Sequence, residues 1–424
     1  MRVIYDISPV GSRPETRTGL ARVAWSTALA LHQQLGSNLR LSACGSIWAA
    51  LETESLLQDW PDLPSALYPI DSFTKTLQQI QENLNKYTNS SASPLKSISH
   101  YASNLFLTLS RLRNVTRLPL DPQSLANADI FHSSYARIPR QVRRSLKRRH
   151  ILTVHDLTPL ILNGRYFSPG QIEITNRIIS SIHPGDWVIA VSHSTKNDLC
   201  NRRSLSPERV CVIPNAASKE YFYPIDDPEV IQTVRRRYNL PEGPYLLTLH
   251  SLAAHKNLGH LIDCFKRTVT QQAFHDLTLV IAGGNKQAVQ NTRGQFGLND
   301  KSSRPIHFTG YIDDNDLAAL YSGAMAFVFP SLYEGFGLPV LEAMQCGCPV
   351  ITSNVSALPE VVENAGILVN PSRKDELCQA LTNIYHDRNL RENLSLLSKQ
   401  RASIFSWDTT IQKTVELYSK IGDG

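Results

Sequence analysis

Six short apolar runs punctuate the second half of this 424-residue chain: Tyr245–Leu249, Leu277–Ala282, Ile306–Thr309, Ala326–Phe329, Val350–Thr352 and Ile367–Val369. Between them, near 257–271, 314–322, 338–346, 358–363 and 373–387, apolar residues recur at helical spacing. A strand that is apolar on both faces has no side to turn to water. It belongs in a parallel sheet with helices packed above and below. The first half starts in the same way: strand Arg2–Ile7, a Gly/Pro-containing loop to Thr18, a helix from about Gly19 to Gln34, and a strand Leu39–Ile47. Residues 50–125 are less regular, with helical patterns at 73–87 and 101–114 and a loop at 90–97. Alternation resumes with "DIFHS", "HILTVHD", "WVIAVS" and "RVCVIPN" as strands. Ser168-Pro169 reads as an N-cap followed by a first-turn proline, opening a helix to about Ile182.

A chain of this length exceeds the size at which one core stops growing. The fold class expected is therefore α/β, with two doubly wound, Rossmann-like domains facing across a cleft. An acidic, proline-bearing stretch at 224–244 reads as a linker with a short helix. The domains are expected at 1–222 and 223–405, with a closing helix at 406–424 crossing back to the first.

Lys and Arg number 43 against 37 Asp and Glu, a net charge of +6 that is too mild to imply nucleic acid. No apolar run approaches the roughly 20 residues that span a bilayer, and "MRVIYDISPV" reads as a strand rather than a signal region. The seven cysteines are odd in number and scattered, as reduced thiols of a cytoplasmic protein would be. "ARIPRQVRRSLKRRH" (136–150, with basic residues from Arg137 to Arg149 and no acid) is either a solvated face or a patch for an anionic membrane surface or a pyrophosphate-linked lipid. "DDND" (313–316) imitates an Asp-x-Asp metal motif, but it falls at a helix start where Asp serves as a cap, so no metal is expected. His132 and His193 read as structural or polar-lining residues, with no His/Cys spacing for zinc.

The stretch richest in chemistry is "SLYEGFGLPVLEAMQCGCPV" (331–350), where a buried strand gives way to a helix. Pro339 stands in the first turn of that helix, where its missing N–H does no harm. Gly335 and Gly337 permit close backbone approach, and the first helical turn offers free N–H groups and the positive dipole end, which suit phosphate. Glu334 lies before the helix and Glu342 about one turn into it, so one carboxylate reaches each side of a bound diphosphate. Carboxylates accept paired hydrogen bonds from vicinal hydroxyls. A nucleoside-diphosphate sugar carries such hydroxyls at both ends.

The stretch "PSLYEGFGLPVLEAMQCGCPVITSNVSALPEVVENAGILVNP" resembles the donor-binding signature of retaining glycosyltransferases of family 4, which have the GT-B fold. The likeness extends to "TGLARV" (18–23), "TVHDLTPL" (153–160), "AVSHSTKNDL" (190–199), "VCVIPNA", "HKNLGHLIDCF" (255–265) and "GYIDDNDLAALYSGA", and leaves out roughly 48–125. The resemblance implies a hexose transferase using a nucleotide-sugar donor, with no metal or other cofactor. The acceptor would be a hydroxyl of a glycan, a lipid-linked glycan or a small molecule. It implies that Glu334 contacts the donor sugar and Glu342 the ribose. Phe336, Gly337 and Leu338 would offer backbone N–H groups beside Gly335, and Lys256 would neutralise the diphosphate. His155 would line the reaction centre, with Gly19 and Arg22 near the phosphates and Ser251 at the donor site. The family often has Gly-Arg or Gly-Thr where this chain has His250-Ser251, and Arg-Lys where it has His255-Lys256. The second departure replaces one fixed positive charge of the usual pair. A sugar-nucleotide epimerase or phosphorylase of the same architecture, and a non-catalytic sugar-nucleotide binder, are the competing readings. The wording His-Asp-Leu-Thr-Pro leans toward GDP-mannose as donor.

Overall fold

The computed structural model describes residues 1–10, 19–72, 74–76, 80, 119–146, 149–249, 253–272, 274–298 and 305–422. These residues form two six-stranded sheets. The first holds β1 (Val3–Asp6), β2 (Leu39–Ser42), β3 (Ile130–Ser133), β4 (His150–Val154), β5 (Trp187–Ala190) and β6 (Val210–Val212), in the order β2-β1-β3-β4-β5-β6. The second holds β7 (Tyr245–Leu249), β8 (Thr278–Ala282), β9 (Ile306–Gly310), β10 (Ala326–Phe329), β11 (Val350–Ser353) and β12 (Ile367–Val369), in the order β12-β11-β10-β7-β8-β9. Pairing is parallel, with Val3 opposite Leu39 and Ile130, and Tyr245 opposite Thr278. The central strands are buried along their whole length, as runs apolar on both faces require.

Two compact units emerge from the contacts: Met1–Thr153 with Ser180–Ile189 and Thr414–Gly424, and Val154–Ile179 with Ala190–Lys413. In the first unit the end of the Trp407–Gly422 helix is tied down by a buried network. His132 Nδ1 lies 2.6 Å from the Tyr418 hydroxyl and His132 Nε2 lies 2.7 Å from Thr153 Oγ1. In the second unit, apolar clusters cover both faces of the β7–β12 sheet.

Most second-half helices fall where their spacing places them, among them Asp314–Ser322, Leu338–Gln345 and Lys374–His386. One expectation is corrected. The strand read as Leu39–Ile47 stops at Ser42, and a helix, Ile47–Gln58, begins inside that span. Ser46 is the reason: its side chain accepts the Ala49 N–H at 3.0 Å and caps the new helix. The helical pattern at 101–114, the loop at 90–97, the loop residues 11–18 and most of the pattern at 73–87 lie outside the described residues. Among the described residues, no helix is long and apolar enough to cross a membrane.

Candidate active site

In the second sheet the chain runs outward from β7 through β8 to β9, then returns to β10 and runs the other way. The loops leaving β7 and β10 therefore part in opposite directions, opening a crevice at the carboxyl ends of the strands. The loop after β7 ends in a short 3₁₀ turn, Ala254–Lys256, and the loop after β10 carries Glu334 to Gly337. Hydrogen bonds staple the two together. The His255 carbonyl accepts the Leu332 N–H at 2.8 Å and the Ser331 hydroxyl at 3.1 Å. Asn257, in the left-handed region at φ 62°, donates its side-chain amide to the carbonyls of Pro330 and Pro371.

This framework brings Lys256 Nζ to 2.6 Å from Glu334 Oε1, with Lys256 also over the Phe329 ring at 5.2 Å. Both members are largely buried, at 21% and 11% side-chain exposure. Glu334 is further held through its backbone: its N–H donates to Ser356 Oγ at 2.9 Å.

Gly335 has no room for a side chain. A Cβ there would lie 1.8 Å from the His155 carbonyl oxygen and 2.5 Å from Asp156 Cβ. The absence of that one carbon lets the segment carrying His155 lie directly against the loop carrying Glu334. Gly337, at φ +100°, turns the chain into the Leu338–Gln345 helix, and a Cβ on it would meet Leu358 Cδ2 at 2.7 Å. The N–H groups of Phe336, Gly337 and Leu338 have no acceptor among the described residues, and Phe336 is 6% exposed. Such donors at a helix start suit an anion.

The helix His193–Arg203 grips the same loop, which sequence reading did not foresee. Ser192 Oγ donates to the Gly335 carbonyl at 2.7 Å and Thr195 Oγ1 donates to it at 3.2 Å. The Tyr333 hydroxyl donates to Asp198. The Glu360 carboxylate in turn accepts the His193 and Ser194 N–H groups at 2.7 and 2.6 Å, an anion on a helix N-terminus. The "VSHST" wording was a visible N-cap signal, but which carbonyl its hydroxyls would meet, 140 or more positions away, was not.

The electrostatics are uneven. His255 is buried, stacks on Phe167 with ring centroids 5.0 Å apart, and has no partner for Nδ1 among the described residues. Burial, and then the neighbouring Lys256 charge, push its pKa down to about 4, so it is neutral at pH 7. Lys256 is thus the fixed positive charge of the His255-Lys256 pair. Asp156 has its carboxyl pushed above the usual range by burial, against the stabilising Thr158 N–H bond and with the nearby Glu334 charge adding to the rise.

The site residues expected from sequence therefore divide. His155, Lys256, Glu334, Gly335, Phe336, Gly337 and Leu338 all lie in the second unit, about the β7/β10 crevice. Glu342 is in the same unit, 4% exposed on the Leu338–Gln345 helix, with the Tyr321 hydroxyl 3.5 Å away. Gly19 and Arg22 belong to the first unit, at the start of the Gly19–Leu35 helix. Ser251 and His250 lie outside the described residues. In "DDND", Asp313 accepts the Asn315 N–H as a cap and Asp316 holds Arg237 and the Tyr238 hydroxyl. In the basic stretch, Arg143 is spent on the buried Asp186 at 2.8 Å, while Arg137, Arg140 and Arg144 are exposed. Lys147 and Arg148 lie outside the described residues.

Comparison with known proteins adds to the geometry. The family described as Glycosyltransferase Family 4 matches residues 87–220, and the family described as Glycosyl transferases group 1 matches residues 230–401. The serotype-specific mannosyltransferase WbdA of Escherichia coli is 29% identical over 275 residues, 64% of this chain but 33% of that protein, so the likeness spans a third of that relative's length. The O-antigen chain mannosyltransferase B of Escherichia coli is 27% identical over 294 residues, 68% of this chain and 74% of that one. The sucrose-phosphate synthase of Thermosynechococcus elongatus superposes with a TM-score of 0.66 at 18% identity, covering 99% of both chains.

Proposed function

This chain belongs to the group 1, family 4 glycosyltransferases and has the GT-B fold, and from there we infer that it transfers a hexose from a nucleoside diphosphate to an acceptor hydroxyl, with retention at the anomeric carbon. The observation that carries the reading is the Lys256–Glu334 pair at the β7/β10 switch point, beside three N–H groups without acceptors among the described residues. Before a donor arrives, each charge neutralises the other. A diphosphate competes for the lysine and the N–H groups, and so frees the Glu334 carboxylate to accept hydroxyls of the sugar. Donor binding thereby assembles its own sugar site.

In the transfer step the bond from the anomeric carbon to the phosphate oxygen breaks, and negative charge builds on the departing diphosphate. Lys256 and the amides of Phe336 to Leu338 stabilise that charge without having to reorganise. The transition state is oxocarbenium-like. A double displacement on a side-chain nucleophile calls for two carboxylates about 5 Å apart around the sugar. The Glu334 carboxylate instead starts paired with Lys256, a partner that suits positioning rather than attack. The acceptor oxygen attacks on the face the diphosphate leaves, and its proton passes to a phosphate oxygen. His155 lines this centre, its backbone held against Gly335.

Mannose from GDP-mannose is the donor this reading favours, supported by the mannosyltransferase names of the two relatives. The acceptor is a hydroxyl of a glycan, free or lipid-linked, or of a small molecule. The test is incubation with a panel of GDP, UDP, ADP and dTDP sugars, following released nucleoside diphosphate. Wild type is expected to release it with acceptor present, and Glu334→Ala to bind free nucleotide normally while losing at least about 100-fold in rate. Interconversion of the donor without release would mean an epimerase, and wild-type turnover in Glu334→Ala would remove that residue from the centre.

A further inference from the structure

We propose that Ser192 and Thr195 are positioning residues that aim the Phe336 N–H at the negative charge of the departing diphosphate, a role that rests on the transferase reading above. The juxtaposition is specific. Two hydroxyls, on residues one helical turn apart, converge on one carbonyl oxygen, that of Gly335. A trans peptide unit is planar, with its C=O and the following N–H pointing in opposite directions. Fixing the Gly335 carbonyl therefore fixes the direction of the Phe336 N–H, which has no acceptor among the described residues. Glycine at 335 makes the grip necessary. A residue without a side chain leaves its peptide units free to rotate, and the same missing Cβ is what admits His155.

The anchor is itself rigid. Ser192 also accepts the Thr195 N–H at 3.0 Å as the cap of the His193–Arg203 helix, and Thr195 is fully buried. Asp198 on that helix holds Tyr333, so the loop is fastened on both sides of Glu334. Glu360 on the helix N-terminus completes the brace. Donors that point at developing charge stabilise the transition state more than the ground state, so loosening them lowers turnover more than substrate affinity.

The experiment compares Thr195→Val, Thr195→Ser and Ser192→Ala with wild type, measuring kcat, donor KM, affinity for free nucleoside diphosphate and melting temperature. Thr195→Val has nearly the shape of the native side chain and removes only the hydroxyl. It is expected to lower kcat about tenfold, and the Ser192→Ala, Thr195→Val double variant about 100-fold, with donor KM within about threefold. Thr195→Ser is expected to restore the wild-type rate. A Thr195→Val enzyme within twofold of wild-type kcat would overturn the proposal while leaving the transferase reading intact. So would a loss in KM and melting temperature that Thr195→Ser fails to rescue, because that is general destabilisation. A wild-type chain releasing no nucleoside diphosphate from any donor would overturn both.

Discussion

At the scale of single residues, the proposed donor site centres on one ion pair, Lys256 with Glu334. A partly buried lysine and glutamate 2.6 Å apart attract, but both have given up water to meet, so the net stabilisation is small. Lys256→Ala nonetheless leaves the largely buried Glu334 carboxylate without its partner, so it is expected to cost about 3 kcal/mol of stability and to weaken nucleoside diphosphate binding about tenfold to 100-fold, read by titration calorimetry. Unchanged affinity would take Lys256 out of the diphosphate site. His255 gives a pH signature. Its folded pKa, about 4, lies below the ordinary value, so the unfolded chain takes up a proton first as pH falls. The stability that neutral His255 contributes is complete above about pH 6.5 and is lost as pH falls toward 4. His255→Asn should flatten the fall in denaturation midpoint across that window and leave the curve above pH 7 unchanged in shape.

At the scale of elements, what matters is how a loop of small residues is held between stiffer ones. Gly335 touches the His155–Asp156 backbone on one side and receives Ser192 and Thr195 on the other. A methyl at 335 would collide with a backbone oxygen, which no rotamer change can relieve. Gly335→Ala is expected to cost about 1–3 kcal/mol of stability and to abolish most activity, since the loop must move bodily. Retained activity with a normal melting temperature would show that the His155 and Gly335 segments do not press together. Glu360 on the helix N-terminus makes a milder contribution. Glu360→Gln should cost about 1 kcal/mol, measurable by denaturant unfolding and reduced at high salt.

At the scale of the whole molecule, the first unit depends on two long-range ties. Arg143 makes two hydrogen bonds to Asp186, 43 positions on, at 2.8 and 2.9 Å. Burial pushes the Asp186 carboxyl up, but its bonds to His150, Arg143 and the His183 N–H outweigh that and bring its pKa to about 2. The folded value is depressed, so its stabilisation is present above about pH 4 and is lost as pH falls toward 2. Arg143→Ala strips the guanidinium from a buried carboxylate that keeps only His150 and the His183 N–H, and is expected to cost about 3 kcal/mol, seen as a drop in unfolding midpoint. The second tie, Tyr418 to the buried His132, fastens the chain's last helix to β3. Tyr418→Phe should cost about 1–3 kcal/mol and raise hydrogen exchange in 414–422 before the rest of the chain.

Local order was written plainly in this chain. Apolar runs of three to six residues, spaced by amphipathic helices, determined two parallel α/β sheets, because a strand without a polar face has nowhere else to go. Caps at Ser168 and Asp313 could be read directly, since a cap bonds to an N–H two or three residues ahead. The same locality explains the misreading of 43–47, where Ser46 was passed over and Ile47, the first residue of the helix it caps, was taken for the end of a strand. Gly335, Gly337 and Pro339 were legible as the elbow where a buried strand turns into a helix. Tertiary structure alone decided that Gly335 lies against His155, that the hydroxyls of Ser192 and Thr195 close on its carbonyl, and that Glu334 meets Lys256. Those partners are 78 to 180 positions apart, and no spacing along the chain announces them: Lys256 and Glu334 meet because β7 and β10 are neighbours in the folded sheet, while His155, Ser192 and Thr195 reach Gly335 from chain that follows β4 and β5, by tertiary packing alone.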